Sequence, residues 1–216
     1  MPSQALLKFE GNLLVEVERL IQSHSDLNHD GRGRRGLGHI TRSGVFMLCA
    51  AWELYVEELL SESVRHLTTR CSSPDELPLL VRKELANHVK LSKHELKPLE
   101  LAGQGWEGVL TSHVDTTLSG LNTPKSHVLN PLFKKFVGLG EFSSCWTNPA
   151  KDVNDFVTAR GDIAHRGRDT NYVTIGKLHD FRDMITRTVL DSDNGLADHL
   201  QSISPGNKSP WRRRAI

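Results

Sequence analysis

The sequence predicts an all-α protein, a single bundle with two long helices and several shorter ones. Two observations point there directly. Apolar residues recur at three- and four-residue spacing through several long windows. Period-two alternation of β-branched residues occurs only briefly, at Tyr172-Val173-Thr174-Ile175. A third observation sets the size of the core. The chain has 216 residues, 38% of them apolar and 25% charged, which is enough for one buried core and well short of a disordered composition.

The first helix is expected over residues 4 to 24, where Leu6, Leu7, Leu13, Leu14, Val17, Leu20 and Ile21 fall near one stripe. A segment rich in Gly and Arg follows, Asp30 to Gly38. The second helix has the clearest pattern: Phe46, Cys49, Trp52, Tyr55/Val56, Leu59/Leu60 and Leu67. A stripe that long is most simply a core helix. Ser73-Pro74-Asp75-Glu76 reads as a capping box with proline at the first helical position, opening a helix that runs to Lys90. Residues 106 to 118 suggest another helix. Asn130-Pro131 is expected to open a short amphipathic run that Gly138 ends, and Asn148-Pro149 repeats that opening for a helix ending near Gly167. A last helix is expected over residues 175 to 203, with a break near Asp193-Asn194-Gly195. The helical domain is thus residues 1–203. Residues 204–216 carry Lys208, Arg212, Arg213 and Arg214 with no acid, and read as a basic flexible tail.

Composition narrows the function. The formal net charge is +1, so there is no bulk attraction to nucleic acid, and any such attraction must be local. No apolar run is long enough to span a membrane, and the N-terminus lacks the pattern of a signal peptide. Cys49, Cys71 and Cys145 are odd in number and widely spaced. They argue against a disulfide framework or a thiolate zinc site and suit a reducing cytoplasm.

Several motifs fail in context. Gly31-Arg32-Gly33-Arg34-Arg35-Gly36 matches G-x-G-x-x-G but follows a helix and polar residues rather than a strand. Asp26-x-Asn28-x-Asp30-Gly31 begins like a calcium loop, yet Leu37 replaces the bidentate acid and arginines crowd the segment. The eleven histidines include no H-E-x-x-H and no pair at i, i+4, so no metal site is expected. Lys134-Lys135 and Arg212-Arg213-Arg214 are basic clusters that could meet phosphates, with Trp211 placed to stack on a base.

The informative stretch is Ala159-Arg160-Gly161-Asp162-Ile163-Ala164-His165-Arg166-Gly167. Arg160 and His165 are separated by about 7.5 Å of rise and about 140° of rotation on a helix, so they border one groove from two sides. A purely structural account also serves. His165 suits the last turn of a helix, Asp162 and Arg166 are spaced for an ion pair, and Arg160 could pair with Asp152 or an acid across the bundle.

This stretch resembles the R-x4-6-H signature of HEPN domains. Ala50-Ala51-Trp52-Glu53-x-Tyr55-Val56-Glu57, then Leu121-Asn122-Thr123-Pro124 and Leu132-Phe133-x-x-Phe136-x-Gly138-Leu139, resemble the RiboL-PSP-HEPN group in content and order. The similarity spans about residues 40 to 200. It implies an HEPN-like helical bundle acting as a metal-independent endoribonuclease, with no cofactor. It also implies a homodimer with a composite active site, and a role in toxin–antitoxin or antiviral defence with an antitoxin protein as partner. By position the catalytic pair is Arg160 and His165. Asp162 and Glu53 are supporting residues, and Arg166, Lys134 and Lys135 are RNA contacts. HEPN motifs commonly place a polar residue, often Asn, directly after the Arg; here Gly161 stands there.

The chemistry suits these residue types. RNA carries its own nucleophile, the 2′-hydroxyl. Imidazole exchanges protons near neutral pH, and a guanidinium stays charged against the phosphate. The alternative is a catalytically inactive HEPN bundle that binds RNA or a partner protein through the same groove.

Overall fold

The computed structural model describes residues 1–28, 35–166 and 173–215. Among these residues there is no strand. The helices are α1 (Gln4–Lys8), α2 (Leu14–Leu27), α3 (Gly38–Arg70), α4 (Leu79–Lys90), α5 (Gly105–Leu118), α6 (Ser126–Val137), α7 (Ala150–Arg166) and α8 (Ile175–Ile203). The two long ones are α3 and α8, as the sequence predicts. Most of the G-x-G-x-x-G segment and Gly167 lie outside the described residues. Tyr172 does too; Thr174, from the strand-like run, instead caps α8, its hydroxyl accepting the Lys177 N–H.

Helix α3 is the axis of the bundle and packs against α1, α2, α5, α6, α7 and α8. It buries residues on most of its sides, as a central helix must. Trp52 and Tyr55 are fully buried on it. Each spends its polar atom on a backbone carbonyl, Trp52 Nε1 on Pro124 at 3.0 Å and Tyr55 OH on Val189 at 2.9 Å, so neither leaves an orphan donor. Of the stripe that predicts this helix, Phe46 alone is out of the core, 38% exposed.

Several expectations are corrected. The first helix contains a π turn, Phe9–Leu13, between α1 and α2, with the Leu14 N–H reaching the Phe9 carbonyl. One extra residue turns the later stripe back by about 100°, which aligns Val17 and Ile21 with Phe9 on the face toward α3. The expected helix from Pro74 to Lys90 is split. Residue Leu77, before Pro78, is forced to extended geometry (ψ 151°), so a 3₁₀ turn at Pro74–Glu76 stops and α4 starts at Leu79. Asn130-Pro131 lies inside α6 and does not open it. The helix starts four residues sooner because Asn154 of α7 accepts the Ser126 N–H at 2.8 Å, while Asn130 braces Ser143. Gly138 does end α6, at φ 73°.

Helix α8 runs unbroken through Asp193-Asn194-Gly195. Gly195 is there for proximity: a Cβ would lie 2.6 Å from the Cys145 Sγ. Asn194 exchanges hydrogen bonds with the Arg214 backbone, at 2.9 and 3.0 Å. The expected flexible tail is therefore a docked segment. Trp211 is buried, its Nε1 donating to the Asp193 carbonyl at 3.1 Å, which removes it as a base-stacking platform. Arg213 and Arg214 pair with Asp198 and Glu10, and the Arg212 N–H meets the Met1 carbonyl at 2.9 Å. No described helix is long and apolar enough to cross a membrane.

Candidate active site

Helix α7 buries Val153, Phe156, Val157 and Ile163. Arg160 falls on the same stripe, and an arginine can sit there only if its charge is met. The partner helix meets it. Arg160 Nη2 lies 3.2 Å from Glu53 Oε2, and Nε lies 3.5 Å from the Cys49 Sγ, both on α3. Nη2 also donates to the Asn122 carbonyl at 3.1 Å. Among the described residues Nη1 meets no acceptor within hydrogen-bond distance. The side chain keeps 28% of its surface and Glu53 keeps 23%, so the pair is anchored at the wall of the bundle and not sealed within it.

The electrostatics follow from that half-burial. Burial pushes the Glu53 carboxyl up, and the Arg160 guanidinium opposes this without cancelling it. Burial likewise raises the Cys49 thiol, against the pull of Arg160, so Cys49 packs as a neutral thiol. The hydrogen bond to Cys49 holds Arg160 above its ordinary value despite desolvation, with the charge of Glu53 adding a smaller share.

His165 stands in the last described turn of α7 and is exposed. The rotation of about 140° from Arg160 carries it off the buried stripe to solvent. Asp162 is exposed as well. It stands about 200° around the helix from Arg160, and the Arg160 hydrogen bonds go to other groups. The acid across the bundle is Glu53 and not Asp152. Gly161 faces open space, with nothing within 4 Å of where a Cβ would stand. The side chain of Arg166 lies outside the described residues.

Lys134 and Lys135 sit elsewhere. Lys135 Nζ is 3.0 Å from Glu84 Oε1 on α4, beside His113 at 2.8 Å from the same oxygen. Burial raises the Glu84 carboxyl, but these two donors more than offset it and hold it below its usual range. Lys134 is exposed on the α4–α6 groove. Two members of the Arg160 cluster escape sequence reasoning, Cys49 and Asn122. Cys49 carries only a core-stripe signal, and Asn122 acts through its backbone, which no side-chain pattern encodes.

One guanidinium thus ties together α3, the loop after α5, and α7. These are three of the segments that carry the sequence resemblance. The arrangement is that of an HEPN domain, a helical bundle with an R-x4-H motif on a helix packed against a long central helix. The sequence profile of the RiboL-PSP-HEPN family matches residues 12–198, and the chain belongs to that family, which is generally ribonuclease-related. No curated protein and no solved structure matches the chain.

Proposed function

We propose that the protein is an HEPN-type endoribonuclease that needs no metal. The carrying observation is an anchored Arg160 and, five residues on in the same helix, an exposed His165. An enzyme must hold a cation rigidly at the surface while leaving an imidazole free to meet substrate. The 2′-hydroxyl of RNA attacks the adjacent phosphorus, the P–O5′ bond breaks, and a 2′,3′-cyclic phosphate and a 5′-hydroxyl remain. His165 takes the 2′-hydroxyl proton or delivers one to the leaving 5′-oxygen. Arg160 holds the non-bridging oxygens as their charge grows, and Glu53 and Asn122 fix its plane. Since one histidine cannot both accept and donate at once, a homodimer that shares its two sites would supply acid and base together. Arg166, Lys134 and Lys135 are proposed phosphate contacts. A cytoplasmic toxin or defence effector held by an antitoxin protein is the setting the family suggests.

A second reading is favoured by Gly161 and by the engagement of Arg160 with protein acceptors. It is an inactive bundle that binds RNA or a partner protein through this wall. One experiment separates the two. Purified protein is incubated with total RNA plus EDTA, and product ends are analysed. The ribonuclease yields cyclic phosphate ends, and both His165→Ala and Arg160→Ala lose about 10²-fold or more. Intact RNA with wild-type protein, or full cleavage by both variants, overturns the assignment.

A further inference from the structure

Phe46 belongs to the apolar stripe of α3 by spacing, yet with Met47 it is one of two large apolar side chains on α3 left in water. It stands seven residues before Glu53 and three before Cys49. Seven residues are nearly two full turns, so Phe46 projects within about 20° of Glu53, about 10 Å along the axis, with Cys49 between them. The ring therefore lies on the margin of α3 that holds the Arg160 guanidinium.

The direction of α7 places His165 at the same end. The Thr41–Val173 and Tyr55–Val189 hydrogen bonds show α8 running beside α3 in the same direction, and α7 advances toward the start of α8, from Asn148 at Met184 to Phe156 at Phe181. Going from Arg160 to His165 thus runs toward the N-terminal end of α3, the end carrying Phe46 and, one turn further, Arg42. The other direction leads to Glu57, and to Glu58, whose charge is met by Lys8 of α1. The Glu57 carboxyl is raised by burial and by repulsion from Glu53 and Glu58, a region hostile to phosphate. A polyanion laid across Arg160 meets a cation and an aromatic ring on one side and carboxylates on the other.

We propose that Phe46 forms a nucleobase subsite, its ring stacking on the base of a nucleotide flanking the phosphate held by Arg160. The proposal rests on the ribonuclease reading. Every base has a π face, and a phenyl ring offers no hydrogen bond, so the subsite takes single-stranded RNA with little base preference. Stacking of this kind is worth about ten- to hundredfold in binding.

The test uses a single-stranded oligoribonucleotide whose cleavage point has been mapped. Phe46→Ala should raise KM about ten- to hundredfold with kcat within about threefold. Phe46→Trp should retain the wild-type KM, and Phe46→Leu should behave like the alanine variant. Removing the base beside the scissile phosphate should raise KM for wild type by the same factor and leave Phe46→Ala unaffected. Wild-type kinetics from Phe46→Ala, rescue by leucine equal to that by tryptophan, or a dimer lost on sedimentation of Phe46→Ala would overturn the subsite while leaving the ribonuclease reading intact. If wild type binds the strand without cutting it, the same comparisons are read as Kd. If it neither binds nor cuts, both readings fall.

Discussion

Asp193 offers the sharpest physical test of the structure. It is fully buried on α8, with one oxygen accepting the Ser3 hydroxyl and the other buried without a partner among the described residues. Burial pushes its carboxyl up from 3.8 to about 6, with Glu62 adding to the rise and the Ser3 bond opposing it. Between those values the folded chain holds a proton that the unfolded chain has released. The folded state then binds more protons, so stability falls as pH rises through this window and the full cost is present above it. The gap corresponds to about 3 kcal/mol. Asp193→Asn cannot ionise and keeps an oxygen for Ser3. Urea unfolding of both proteins at pH 4 and pH 8 isolates the group, because other titrations cancel in the difference. The variant's gain relative to wild type should be about 2.5 kcal/mol larger at pH 8 than at pH 4, where the unfolded carboxyl is already partly ionised. A gain independent of pH, or larger in acid, would refute the reasoning.

Three further outcomes are expected. Glu53→Ala should cut RNA cleavage about tenfold by releasing the Arg160 plane, while Glu53→Gln, which keeps an oxygen near Nη2, should retain most of it; equal losses would mean that charge and not positioning matters. Gly161→Ala should raise stability by about 0.5–1 kcal/mol in a denaturant titration, since nothing crowds the added methyl and α7 gains a better helix former. Trp211→Ala should lower stability by about 3–5 kcal/mol, read as a fall in Tm, where an undocked tail would show no change.

The long helices are legible in the sequence because a buried stripe of ten or more residues leaves a periodic trace, as from Cys49 to Leu67. What escapes reading depends on groups far apart in the chain. Pro131 looks like a helix opener until Asn154, from another helix, caps Ser126 and moves the start back. Gly195 looks like a break until Cys145 is seen pressed against it. Trp211 among three arginines looks like an RNA platform, but its indole closes over α8. At the site, Arg160, His165 and Glu53 are singled out by the resemblance, the spacing alone serving an ordinary helix end equally well. Asn122 is not, since only folding reveals which carbonyl a guanidinium will find. Phe46 carries the same core signal as its stripe-mates, and its exposure is settled by what packs opposite.

The clasp between the two ends of the chain has its own consequence. Ser3 meets Asp193, and Met1 meets Arg212, across almost the whole length of the polypeptide. Loop-closure entropy grows slowly with length, so a fastening this distant costs little more than a short one. Yet it cannot be made until everything between is synthesised. Without residues 211–214 the Asp193 carbonyl loses the Trp211 indole, and the first helices keep Ser3–Asp193 but lose the contacts of Met1 and Glu10 with the tail. Residues 211–214 thus join the stability of the first helix to that of the last.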